Sequence, residues 1–152
     1  MGKTDTREVW ERGLSGDGRR WERNCVGEVT NARESRGGYL CYDIAMEDAR
    51  THQPYDPRYP AGILSVVVQT LVKCYQKEVR GYTAVGSALD YWHGVDCWIE
   101  CAGMVVTIDL TINPNKKSTK ADILYHGKNG SVYVLTKKVV EEILWRKQRH
   151  ST

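Results

Sequence analysis

Asp96 and Asp109 are the residues whose types and spacing point most directly to chemistry. They lie near the outer ends of two alternating runs, residues 95–101 and 104–111, and Ala102-Gly103 between them is the length of a tight hairpin turn. With Cys101 opposite Met104, Ile99 faces Val106, Cys97 faces Ile108 and Asp96 faces Asp109. Opposed side chains hold their β-carbons roughly 4.5–5.5 Å apart, where two like charges destabilise a sheet. A shared divalent cation removes that cost, and Mg²⁺ (or Mn²⁺) suits hard carboxylate oxygens. The competing readings are two aspartates solvated at an open sheet edge, or a bulge that separates them.

The elements that must position this pair read as follows. Alternation assigns Cys97, Ile99, Cys101, Met104, Val106, Ile108 and Leu110 to a core face, leaving Asp96, Trp98, Glu100, Val105, Thr107, Asp109 and Thr111 on a polar one. Upstream, Asp5 or Thr6 caps a first helix that breaks at residues 14–18, and Trp21, Cys25, Val26 and Val29 mark a second helix running to Arg36. Residues 39–45 alternate as a strand, and residues 51–59, with two prolines, form a loop. Pro60 opens a long core helix to about residue 78, although its run Val66-Val67-Val68 also suits a strand. Residues 83–91 read as a short helix ended by Gly94.

Downstream, residues 121–126 and 131–135 are expected strands about a Gly-Lys-Asn-Gly turn. Thr136 then caps a final helix whose apolar face carries Val139, Val140, Ile143 and Leu144. The expectation is one α+β (α/β) domain over residues 1–152, with an N-terminal helical part at 5–36 and a core at about 39–148. A central mixed β-sheet flanked by helices carries the metal-site hairpin.

Composition narrows the class. At 152 residues, 41% hydrophobic and 27% charged, the chain can bury one core. Residues 61–72, the longest apolar stretch, contain Ser65, Gln69 and Thr70 and fall short of a membrane span. No secretory h-region opens the sequence, and five cysteines in mostly apolar segments fit reduced thiols, so a cytoplasmic protein with no membrane partner is expected. Net charge is only +3, but cations cluster at Arg19, Arg20 and Arg23, at Lys116, Lys117 and Lys120, and at Arg146, Lys147 and Arg149. The last cluster is also explained by the helix dipole at a C-terminus.

Gly94-Val95-Asp96, followed by Asp109-Leu110-Thr111 across a hairpin, resembles the core of the PD-(D/E)xK (restriction-endonuclease-like) nuclease superfamily. The resemblance implies that Asp96 and Asp109 are metal ligands and catalytic residues. It also implies that a lysine two positions past the second acid helps activate water, and here Thr111 stands in its place. The nearest replacements lie in the following loop, with Lys117 and Lys120 as candidate catalytic cations and Lys116, Lys117, Lys120, Arg19 and Arg20 as candidate nucleic-acid contacts. Asp90 on the approach to the hairpin, Glu100 on the polar face of its first strand and Thr111 are additional candidate site residues, and Glu8, Glu11 or Glu22 fits the acid that members of that superfamily often add from an N-terminal helix. Short as it is for a helix, the stretch from Asn113 to Lys120 departs from the strand-helix-strand ending of that core.

The function expected is Mg²⁺-dependent endonucleolytic hydrolysis of DNA phosphodiesters, by a chain that resembled enzymes suggest is a homodimer. The alternatives are a catalytically inactive nucleic-acid-binding or inhibitory module of the same fold, and a structural or assembly protein with incidental aspartates.

Overall fold

The computed structural model describes residues 18–30, 38–75, 77–127 and 131–150. At its centre is the expected hairpin. Strands β2 (Cys97–Cys101) and β3 (Met104–Thr111), numbered by their place in the sheet, pair antiparallel with Cys101 opposite Met104 and Cys97 opposite Ile108. Ala102 and Gly103 both take positive φ, at 52° and 77°, the backbone that a two-residue turn needs between right-twisted strands. β1 (Val79–Thr83) pairs antiparallel with β2, and β4 (Ile123–His126) pairs parallel with β3, giving a mixed sheet in the order β1-β2-β3-β4.

Five helices accompany the sheet among the described residues: α1 (18–26), α2 (Tyr42–Arg50), α3 (Ile63–Tyr75), α4 (Ala88–His93) and α5 (Val132–His150). The result is a single small α+β domain. None of these helices is long and apolar enough to cross a membrane.

The sheet is covered on both faces. Cys97, Ile99, Val106 and Ile108 pack with Leu64, Val67 and Leu71 of α3 and with Leu135, Val139 and Ile143 of α5. The opposite face, read from sequence as polar, is a second core in which Trp98 is fully buried and stacks on Tyr82 at 4.8 Å beneath Ala45, Met46 and Ala49 of α2. Burying such an aromatic contributes roughly 1.5–3 kcal/mol, enough to hold a helix over this face. Its polar members are paired. The Thr107 backbone N–H and hydroxyl both donate to Asp122 Oδ2, at 2.9 and 3.0 Å, and Arg146 Nη2 lies 2.8 Å from the same atom.

Several expected elements differ. Residues 39–45 are not a strand: α2 starts at Tyr42, and Ala45, Met46 and Ala49 bury at helical spacing while Tyr42 and Ile44 face solvent. The core helix is present as α3 but stops at Tyr75, short of residue 78, and Val79–Thr83 form β1, a strand where the pattern assigned no element before residue 83. Residues 131–135 are not a strand either. Leu135 shares the buried stripe of Val139 and Ile143, so α5 begins at Val132, with the Ser131 hydroxyl accepting the Val134 N–H at 3.4 Å. Thr136, expected as the cap, is buried inside the helix and its hydroxyl donates to the Val132 carbonyl.

The short helix expected at 83–91 is α4, capped by Ser87 and closed by Gly94. The helix reading to Arg36 ends at residue 26 in α1; residues 27–30 are not helical, and 31–37 lie outside the described residues, as does the helix expected from Asp5.

Candidate metal centre

Three carboxylates meet at one end of the sheet. Ligand oxygens of Glu22, Asp90 and Asp96 all lie within 4.8 Å of one another. Each is delivered by a different element. Asp96 directly precedes β2 and its backbone is pinned on both sides, its N–H donating to the Ile108 carbonyl at 2.9 Å and its carbonyl accepting the Ala84 N–H at 2.8 Å. Its Oδ2 accepts the Leu110 N–H at 2.6 Å, fixing the side chain across the strand end.

Asp90 sits in the first turn of α4, three residues after the Ser87 cap. Ser87 Oγ accepts the Asp90 N–H at 3.4 Å, and Asp90 Oδ2 accepts the Gly86 N–H at 3.1 Å. This is the Ser-x-x-acid arrangement in which a short helix orients its own carboxylate. Glu22 comes from α1, whose Val26 joins the α3–α5 core. Trp21 lies against Gly127 so closely that a β-carbon there would stand 1.8 Å from the indole. Only glycine allows that approach, and it seats α1 beside the acids.

The crowding shows in protonation. Burial first, then Asp90 and Asp109, push the Glu22 carboxyl up to about 8. Burial likewise raises Asp96 well above the usual carboxylate range, with repulsion from Asp90 and Glu22 adding to it and the Leu110 hydrogen bond opposing it. Asp90 is raised, again chiefly by burial, while Arg19 draws it the other way. Without a cation the cluster therefore retains protons. Cis oxygens on one Mg²⁺ stand about 3 Å apart and trans ones about 4 Å, so these acids can share one small hard cation after closing by up to about 2 Å. Histidine and cysteine are absent from the group, which favours Mg²⁺, Mn²⁺ or Ca²⁺ over Zn²⁺.

Asp109 is placed differently from the expected Asp96–Asp109 pair. It lines the same cleft of about 390 Å³ with Arg19, Glu22, Asp90 and Asp96, but its Oδ2 is held by Lys116 Nζ at 2.7 Å and by the Thr119 hydroxyl at 2.8 Å. Lys116 is thus the lysine at the acids. The loop 112–122 brings it there: the Lys116 carbonyl accepts from the His126 imidazole at 2.7 Å, and its N–H donates to Asn113 O at 3.2 Å.

The remaining candidates are spread more widely. Thr111 lines the cleft with its hydroxyl accepting the Asn113 N–H. Lys117 lines a separate depression beside β4 and α5, and Lys120 one beside Trp92. Arg20 is exposed on α1. Glu100 is outside the cluster: near the turn end of β2 it accepts from the Trp98 indole at 3.0 Å and pairs with Arg50. Arg146 of the C-terminal basic cluster is engaged by Asp122, Glu142 and the Val105 carbonyl, a structural use of that charge. Thr119 and Ser87, which position Asp109 and Asp90, were not singled out in the sequence; the Ser87-x-x-Asp90 spacing was the available signal for the second.

No known family profile, curated protein or solved structure matches the chain. The functional reading consequently stands on the site.

Proposed function

We propose that this protein is a metal-dependent endonuclease that hydrolyses DNA phosphodiester bonds, built on a restriction-endonuclease-like arrangement of the hairpin, α1 and α4. The observation that carries the reading is the convergence of Glu22, Asp90 and Asp96 from three elements onto one point, with Asp109 and its ammonium partner Lys116 on the wall of the same cleft. Acids alone serve many purposes. Acids with a lysine held beside them match what phosphoryl transfer to water needs, a cation site together with a fixed positive charge for the developing phosphorane.

Glu22, Asp90 and Asp96 would hold Mg²⁺ or Mn²⁺, which when bound supplies Lewis acidity towards a phosphate and acidifies nearby water. The chain's own groups do the rest. Asp109 Oδ2, fixed by Thr119, holds the Lys116 ammonium at the cleft, where it takes the role that Thr111 cannot. Lys116 stabilises charge as water adds to phosphorus and the phosphorus–oxygen bond to the leaving group breaks, giving a phosphomonoester and a free hydroxyl. Arg19, on the same cleft, is available to a phosphate of the substrate backbone.

The test is cleavage of supercoiled plasmid and of branched DNA with Mg²⁺ or Mn²⁺ by the wild type, Asp96→Ala and Asp109→Ala. Cutting that needs the metal and is lost in both variants supports the reading. Salt-sensitive DNA retention without turnover moves the assignment to an inactive binding module, and loss of both properties to a structural role.

A further inference from the structure

A ridge of aromatic side chains runs from the metal-site cleft onto the surface of α4. Tyr91 is half exposed and lines both the acid cleft and an adjoining depression of about 440 Å³ that Trp92, Ser118, Thr119 and Lys120 complete. Trp92 meets the Tyr91 ring edge-to-face at 4.8 Å and the Tyr39 ring at 5.6 Å, and Tyr39 is 64% exposed. The ridge is rigidly mounted. Trp92 Nε1 donates to the Gly38 carbonyl at 3.1 Å, and the His93 imidazole, against which Tyr42 packs at 5.6 Å, donates to the Leu40 carbonyl at 2.8 Å. Asp109 and Lys116 line both hollows, so the ridge and the acid cluster form one continuous surface.

We propose that this ridge is a binding track for unpaired nucleic-acid strand, whose bases stack on Tyr91 and Tyr39 while Lys120 and Lys116 meet its phosphates. The proposal rests on the nuclease reading and narrows its substrate to single-stranded or locally unpaired DNA. Two features favour this occupant. Exposed rings fixed at an angle to one another offer stacking faces, and a base presents its own face only when it has left the duplex stack. Lysines beside those rings, rather than aliphatic side chains, give the surface a polyanion's complement and make binding fall with salt.

The experiment is fluorescence anisotropy of labelled oligo(dT) and of a hairpin duplex of equal phosphate count, in Ca²⁺ and in EDTA, with wild type, Tyr91→Ala, Tyr91→Phe, Tyr39→Ala and Lys120→Ala. The wild type should bind oligo(dT) at least about tenfold more tightly than the duplex. Each alanine variant at a tyrosine should lose roughly 5- to 100-fold for oligo(dT) with little change for the duplex. Tyr91→Phe, which keeps the ring, should retain binding, and unlabelled oligo(dT) should quench tryptophan emission. Equal affinity for duplex and single strand, or unchanged oligo(dT) binding in both Tyr91→Ala and Tyr39→Ala, overturns the proposal.

The same samples separate it from the reading beneath it. Ring-dependent single-strand binding without cleavage in Mg²⁺ or Mn²⁺ sustains the track and removes the nuclease. Asp96-dependent cutting of duplex with no effect of the tyrosines does the reverse.

Discussion

Replacing Glu22 by glutamine keeps the shape of the side chain and removes its charge, and the consequence for stability has a definite sign. In the unfolded chain Glu22 titrates near 4.5, whereas in the folded, metal-free protein burial beside Asp90 and Asp109 brings it to about 8. Between those values the folded state holds more protons than the unfolded, so stability falls as pH rises from about 4.5 and the loss is complete above about 8. At about 1.4 kcal/mol per pH unit the whole interval is worth at most roughly 5 kcal/mol. Water on the open side of the cleft screens Glu22, which leaves about 2–3 kcal/mol.

Asp90 and Asp96 are raised by the same cause and steepen the slope in the same direction. Urea unfolding in EDTA from pH 5 to 8.5 should therefore show wild type and Glu22→Gln converging near pH 5, with the variant about 2–3 kcal/mol more stable above pH 8. Saturating Mn²⁺ or Mg²⁺ should reverse the order, because the wild type gains about 4.1 kcal/mol at a thousand times its dissociation constant while the variant, short of one ligand, gains little. Parallel pH curves in EDTA, or a variant that is the less stable one at pH 8.5 without metal, would refute the argument from crowded carboxylates.

Four further outcomes follow from the geometry. Lys116→Met should abolish cleavage by about 10²-fold or more while leaving metal-linked stabilisation in place, whereas Lys117→Met should change turnover little; single-turnover cleavage beside a thermal-shift titration separates the two. Gly127→Ala forces a methyl into Trp21 and should cost about 1–3 kcal/mol and weaken Mn²⁺ binding, read by calorimetry, since α1 carries Glu22. Ala102→Gly relieves a left-handed alanine in the hairpin turn and should stabilise the fold by about 1 kcal/mol in denaturant melts. Glu100→Gln breaks the half-buried pair with Arg50 and should destabilise by about 1–3 kcal/mol yet leave metal binding unchanged.

What the sequence determined by itself was local. Period-two alternation and a two-residue spacer define the hairpin and its register, since a slip of one residue would turn Cys97, Ile99, Val106 and Ile108 away from the core. The spacing of Leu64, Val67 and Leu71 likewise specifies a buried helix despite its valine run. Short elements were ambiguous because a few apolar residues satisfy either period: Leu40, Tyr42 and Ile44 alternate, yet burial of Ala45, Met46 and Ala49 makes their segment helical. Tertiary structure alone decided that the Trp98 face is a second core, because a sheet face is apolar or polar according to what covers it, and α2 and α4 cover this one.

The site divides the same way. Asp96 is conspicuous in the pattern, and Glu22 and Asp90 are among its candidate companions, but nothing local distinguishes them from acids used elsewhere in the fold, such as Glu100 in its pair with Arg50. Their convergence depends on where α1 and α4 end, 68 and 74 residues of chain separating Glu22 from Asp90 and Asp96. Choosing Lys116 among three lysines depends on the turn of one loop. Spacing reports which side chains share a face of one element; the meeting of faces from separate elements is a property of packing, and the acid cluster is made there.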